Sequence, residues 1–166
     1  MTPENMLEKT TTYLKNLQKA EALVVAVGLP HEKLSGRVYS EVSKRQTGDR
    51  GEPTTVIEVG AGHEFGLGNL PKRSFLREPF KIKKSKLKSQ ITAQFKAVAE
   101  KGRGAEKALN IIGVEARNIS IEAFKTGGFG TWQPDSAQTI KQKESDKILI
   151  NTGTLRNSVT WIVRRR

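Results

Sequence analysis

The sequence predicts an α+β fold: a small antiparallel sheet packed by two long amphipathic helices, with a long polar loop or hairpin insertion. Three observations carry this expectation. Leu87, Ile91, Phe95 and Val98 recur at spacings of four, four and three, which is one stripe of a helix. Leu109, Ile112, Ala116, Ile119 and Ala123 form a second such stripe. A Val-rich run from Glu21 to Gly28 and an alternating run at Val159, Trp161 and Val163 read as strands near the two ends, and they are the natural partners of one sheet.

Each element has a local reason. Thr2-Pro3-Glu4-Asn5 is a helix start, with Thr2 as N-cap, Pro3 in the first turn and Glu4 at the positive end of the dipole. Met6, Leu7, Thr10, Tyr13, Leu14 and Leu17 follow at helical spacing. Gly28-Leu29-Pro30 closes the first strand. From His31 to Pro53 the chain is polar, with Gly36, Gly48 and Gly51, and reads as a long loop or mobile hairpin. Thr54 to Phe65 suits either a short helix or a strand. Gly66 to Pro71 is a turn, and Arg73 to Phe80 an irregular stretch. Gly102-Arg103-Gly104 separates the two long helices, and Gly127-Gly128 ends the second. Asp135 or Ser136 caps a short helix through about Lys143. Asn151-Thr152-Gly153 is a turn, with Thr152 or Thr154 capping the short turn that launches the last strand.

A chain of 166 residues is expected to be one domain spanning residues 1–166, with a flexible insertion at 31–53. At 36% hydrophobic it is lean, and lean chains complete their burial in oligomers. The net charge of +12 attracts nucleic acid or an acidic protein surface. The absence of cysteine excludes disulfides, thiolate catalysis and Cys-based zinc sites. The longest apolar run, Leu23 to Val27, is strand-sized, so neither a signal peptide nor a membrane partner is expected, and the chain reads as soluble and cytoplasmic.

The sharpest enzyme-like segment is Thr54-Thr-Val-Ile-Glu-Val-Gly-Ala-Gly62, which is similar to the glycine loop of a methyltransferase or a dinucleotide-binding fold. Phe65 stands where the third glycine belongs, and Pro79 beside Glu78 argues against the acid-bearing second strand. The competing reading is a glycine-rich turn beside packed backbone, and no cofactor is expected. His31 and His63 lack metal-ligand spacing. No nucleophile elbow or P-loop occurs. Lys81, Lys83, Lys84, Lys86 and Lys88 are candidates for facing phosphates or an acidic partner, or else a solvated helix face. Phe65, Phe75, Leu76, Phe80, Phe129 and Trp132 read either as local core or as anchors for a neighbouring subunit.

Two blocks then stand out. His63-Glu64-Phe65-Gly66 followed by Leu70-Pro71-Lys72-Arg73-Ser74-Phe75-Leu76-Arg77 resembles the "HEFG…IPARPFLR" segment of the tail-completion and head–tail joining (virion morphogenesis, neck) proteins of long-tailed bacteriophages. Trp132, Pro134, Ser136, Thr139, Ile140, Lys143, Leu149, Ile150, Asn151, Thr152, Gly153, Leu155 and Ser158 resemble the C-terminal signature of the same family. The blocks keep the family's order and cover roughly Val59 to Thr160. Asp135 departs from the usual leucine, Asn151 from aspartate and Ser74 from proline, and Tyr39 to Pro53 reads as an insertion.

The resemblance implies a non-enzymatic virion protein at the head–tail interface, assembled in the host cytoplasm as a ring, expected to be a homohexamer. Its implied partners are head connector or stopper proteins, tail terminator or tail tube proteins, and phage DNA passing non-specifically through the lumen. On this reading Phe65, Arg73, Phe75, Leu76, Arg77, Trp132, Leu155 and Arg156 are interface candidates. Lys81, Lys83, Lys84, Lys86 and Lys88 then face DNA in the lumen or an acidic partner. The alternatives are a tail terminator ring, a basic non-specific nucleic-acid-binding protein, and a small methyltransferase centred on Gly60 and Gly62.

Overall fold

A computed structural model describes residues 3–34, 55–68, 70–150 and 153–166. The element order is α1 (Pro3–Glu21), β1 (Leu23–Gly28), α2 (His31–Leu34), α3 (Val56–Phe65), α4 (Arg77–Ile82), α5 (Lys84–Lys101), α6 (Ala105–Thr126), α7 (Ala137–Lys143), α8 (Thr154–Ser158) and β2 (Thr160–Arg165).

The strands expected at the two ends pair with each other. β1 and β2 run antiparallel, from Leu23 opposite Arg165 to Gly28 opposite Thr160. Helix α6 lies against both strands, α5 packs along α6, and α1 rests on α5. The contact of sheet and helix is close at one point: a Cβ added at Gly113 would sit 2.3 Å from Trp161 Cδ1. The same indole donates to Asn110 Oδ1 at 2.9 Å. This gives α6 a continuous buried stripe of Leu109, Ile112, Ala116, Ile119 and Ala123, the set expected from the sequence. Helix α6 thus carries the small antiparallel sheet, while α5, the other long helix expected to pack on it, layers against α6 instead, and the architecture is α+β.

In α5 the buried face is rotated from the apolar stripe. Val98 is buried, but Ile91 is 37% exposed, and Gln94 and Ala97 are buried in its stead. Gln94 tolerates this because Arg103 donates to its amide oxygen. Gly102, in the left-handed region at φ 63°, ends α5 and turns the chain into α6.

The ambiguous segment after position 54 is helical. Thr55 Oγ1 accepts from Glu58 N at 3.2 Å, and Glu58 Oε2 accepts from Thr55 N at 2.7 Å, a reciprocal capping box. The backbone bond from Thr55 holds the Glu58 carboxyl below its ordinary pKa. The glycine-loop reading is thereby corrected. Gly60 and Gly62 lie inside α3 and not at a strand-to-helix turn. Gly60 lies on a packed face of the helix: a Cβ there would fall 2.2 Å from a terminal methyl of Leu29, with Leu155 and Phe75 beyond.

The stretch expected to be irregular, Arg73 to Phe80, contains the start of α4. Ser136, not Asp135, caps α7, accepting from Thr139 N at 3.1 Å. The N-cap position of α8 is taken by Gly153 at φ 79°, and Thr154, one of the two expected caps, is the first residue of the helix itself. The expected caps Thr2 and Thr152 and the turn residue Asn151 lie outside the described residues. In the polar segment, His31–Leu34 forms a short helix with Leu34 buried, and residues 35–54 lie outside the described residues.

The main core gathers Val56, Phe75, Ala123, Phe124, Trp132, Leu155 and Val159. A smaller one, Ala20, Val98 and Ala108, sits beneath α1. Among the described residues no helix is long and apolar enough to cross a membrane.

Candidate functional site

The two sequence blocks meet in space, and buried charges make the join. Helix α3 delivers Glu64 to the start of α4. The Glu64 carboxylate accepts from Ser74 Oγ at 2.7 Å and from the backbone N–H groups of Phe75, Leu76 and Arg77 at 2.8, 3.0 and 3.1 Å. Leu76, at the N-cap position of α4, offers no side-chain cap of its own. A carboxylate from another helix therefore satisfies donors that a helix start leaves open. Arg77 adds Nε to Glu64 Oε1 at 3.1 Å and Nη2 to the Glu64 carbonyl at 3.2 Å.

Arg73 carries the connection to the second block. Its Nη1 pairs with Asp135 Oδ1 at 2.7 Å. Its Nε and Nη2 donate to the Gln133 carbonyl at 3.1 and 2.9 Å, and Nη2 also to the Pro134 carbonyl at 3.2 Å. The rigid guanidinium fork suits such multiple docking, which a lysine ammonium cannot reproduce. Lys143 of α7 binds the other Asp135 oxygen. Trp132 closes the join from above, donating Nε1 to the Ser74 carbonyl at 3.3 Å. Its ring stands edge-on to Phe124 at 5.7 Å, and Phe124 in turn lies 5.2 Å from Phe75. Gly128 makes room: a Cβ there would sit 2.2 Å from the Trp132 ring.

His63 borders this cluster. Its Nδ1 is buried and finds no hydrogen-bond partner among the described residues. Burial, and then the charge of Arg73, push the imidazole down from 6.5 to about 4, against the opposing pull of Asp135 and a hydrogen bond to Pro71. The ring is neutral at physiological pH. A cavity of about 130 Å³ lies between His63, Arg73, Asp135, Thr139, Lys143 and the apolar residues Leu149, Ile150 and Leu155. Among the described residues no three histidines and carboxylates come together as a metal site. The polar groups of the join are engaged with backbone groups or with each other, an arrangement that braces segments against one another.

The structure redistributes the interface candidates. Phe75, Trp132, Leu155 and Arg73 are inside the chain's own core, so in the folded monomer they are not surface anchors. Leu76 and Arg156 are half-buried. Phe65 is 54% exposed, and the Arg77 guanidinium stacks over its ring at 4.3 Å from the centroid. Beside this pair lies an apolar groove of about 270 Å³ floored by Leu29, Ile57, Gly60, Ala61 and Leu76.

The lysine run is divided. Lys81 belongs to α4, Lys84, Lys86 and Lys88 to α5, and Lys83 to the junction between them. Lys81 pairs with Glu78 at 3.0 Å, Lys83 with Glu122 at 3.0 Å and Lys86 with Glu115 at 2.7 Å. Lys84 and Lys88 are exposed, with no carboxylate partner among the described residues.

No protein-family model matches the chain, and neither a curated protein nor a solved structure matches it significantly.

The roles of Glu64 and Asp135 were not legible beforehand. The useful signal was weak: a Glu in the last turn of a helix, followed within about fourteen residues by Ser-Phe-Leu-Arg with no local cap.

Proposed function

We propose that this chain is a structural subunit of a long-tailed bacteriophage neck, acting in tail completion or head–tail joining as part of a ring around the DNA channel. The observation that carries the reading is the joining of the two resembling blocks. Glu64, Arg73, Trp132 and Asp135, all within those blocks, lock into one buried brace. Residues that a catalytic reading would treat as acids and bases are here supports for turns. A subunit that must present fixed surfaces to neighbours needs such bracing.

The exposed Phe65–Arg77 stack and its apolar groove are the surfaces offered to a ring neighbour. Lys84 and Lys88 are the residues of the basic run best placed to meet DNA or an acidic partner. Genetic depletion tests the proposal. Phage made without this chain is expected to accumulate DNA-filled heads and separate tails, and addition of the purified protein to restore infectivity. Normal infectious yield without the chain overturns it. Normal yield together with steeply salt-dependent DNA binding by the free subunit favours the nucleic-acid-binding reading instead.

A further inference from the structure

Two buried cations share one carboxylate at the join. Arg73 Nη1 holds Asp135 Oδ1, and Lys143 Nζ holds Asp135 Oδ2. The side chains of Arg73 and Asp135 are 5% exposed and that of Lys143 9%. The cavity of about 130 Å³ beside them has no other charged group among the described residues that line it, since the His63 ring is neutral at physiological pH. Two positive charges therefore stand against one negative, and one buried positive charge lacks a counterion. Such a charge is strongly destabilising unless something compensates it.

Hydrogen-bond donors are left over in the same place. An ammonium has three N–H groups and a guanidinium five. Lys143 gives one to Asp135 and one to the Lys147 carbonyl. Arg73 gives Nε and both Nη2 groups to the carbonyls of Gln133 and Pro134, and one Nη1 group to Asp135. Each cation thus keeps one N–H without an acceptor among the described residues. Asp135 demonstrates that a single carboxylate can span the pair, and both cations border the cavity.

The rest of the wall selects the anion. Leu149, Ile150 and Leu155 are apolar and suit a short alkyl group. The missing charge is a single one, which a monoanion restores and a phosphate dianion overshoots. A wider recess of about 580 Å³ shares His63, Arg73, Asp135 and Thr139 with the cavity and gives a route in.

We infer that this cavity is a binding site for a small monocarboxylate, whose carboxylate bridges Arg73 and Lys143 and whose alkyl group lies against Leu149, Ile150 and Leu155. The inference does not rest on the neck reading. A bound monocarboxylate tightens the join of the two sequence blocks, because it neutralises the charge that the join buries.

Propionate is the probe, with chloride and phosphate at matched ionic strength as controls. Amide resonances of the full chain near Thr139 and Ile150 should shift saturably with propionate at neutral pH, with a dissociation constant on the order of 1 mM. The melting temperature should rise with propionate concentration. Chloride and phosphate should bind roughly tenfold more weakly or worse. Lys143→Met removes the surplus charge and leaves Asp135 paired with Arg73. It should fold, bind propionate roughly tenfold more weakly or worse, and lose the rise in melting temperature. Lys143→Arg keeps the charge and should recover most of the binding. No saturable shift up to roughly 50 mM propionate, phosphate bound as tightly as propionate, or equal binding by Lys143→Met overturns the inference. The preference of the wild-type chain for propionate decides the matter even if Lys143→Met fails to fold.

Discussion

Arg73 and Asp135 meet at 2.7 Å with 5% of either side chain exposed, so a residue inside the first sequence block is fastened to one just ahead of the capped helix of the second. Removing one partner of a buried pair strands the other. Arg73→Met should lower unfolding free energy by about 3 kcal/mol, read by urea denaturation. Arg73→Lys should recover only part of this, since an ammonium keeps the charge but not the fork that holds the Gln133 and Pro134 carbonyls. Full stability in Arg73→Lys would show that charge alone matters.

Glu64 organises the start of α4 through three backbone N–H groups. Glu64→Gln keeps the shape, but its amide nitrogen opposes donors, so a loss of about 2 kcal/mol is expected. Glu64→Ala leaves the donors buried and open, with a loss of roughly 4 kcal/mol. Amide exchange of Phe75 and Leu76 should accelerate in both variants while that of the β1–β2 ladder does not.

His63 imposes a pH dependence. Its folded pKa of about 4 is below the ordinary 6.5, so the unfolded chain takes up the proton first as acid is added. The stability associated with the neutral ring is whole above pH 6.5 and is lost as pH falls toward 4. The loss across that window is on the order of 3 kcal/mol. His63→Gln should flatten the stability profile between these limits; an unchanged slope would assign the acid sensitivity to other groups.

Gly113 and Gly60 both sit on packed helix faces, but their neighbours differ in stiffness. Gly113→Ala drives a methyl group into the Trp161 ring, which is pinned by Asn110. A loss of about 2 kcal/mol or more is expected. Gly60→Ala meets first a terminal methyl of Leu29, a side chain that can turn away, and the better helix propensity of alanine offsets much of the cost. Melting temperatures of the two variants should separate in that order.

What could be read in advance follows from range. The stripe of α6, the capped start of α7 and the pairing of strands at opposite ends are written in nearby spacings or in alternation. The helical state of residues 56–65 hinged on Thr55 and Glu58, a capping box visible in the sequence but competing with a Val-Ile run that suits a strand. The inward rotation of α5 toward Gln94 was not visible, because it depends on an arginine from the next turn of chain. Nor was the division of aromatic residues between core and surface. Phe65 and Phe75 have similar surroundings in sequence, and only the packing of Phe124 and Trp132 decides that Phe75 goes inside.

The pairing of Leu23 with Arg165 has a temporal consequence. β1 leaves the ribosome long before the strand it pairs with has been made. Until β2 arrives, α6 has no indole to fill the space at Gly113, and the early strand shows bare valines to the cell. The α5–α6 hairpin, whose contacts are local, can form during that wait. Sealing of the sheet is thus the late step of biogenesis, and nascent chains stalled before Trp161 are the species most in need of a chaperone.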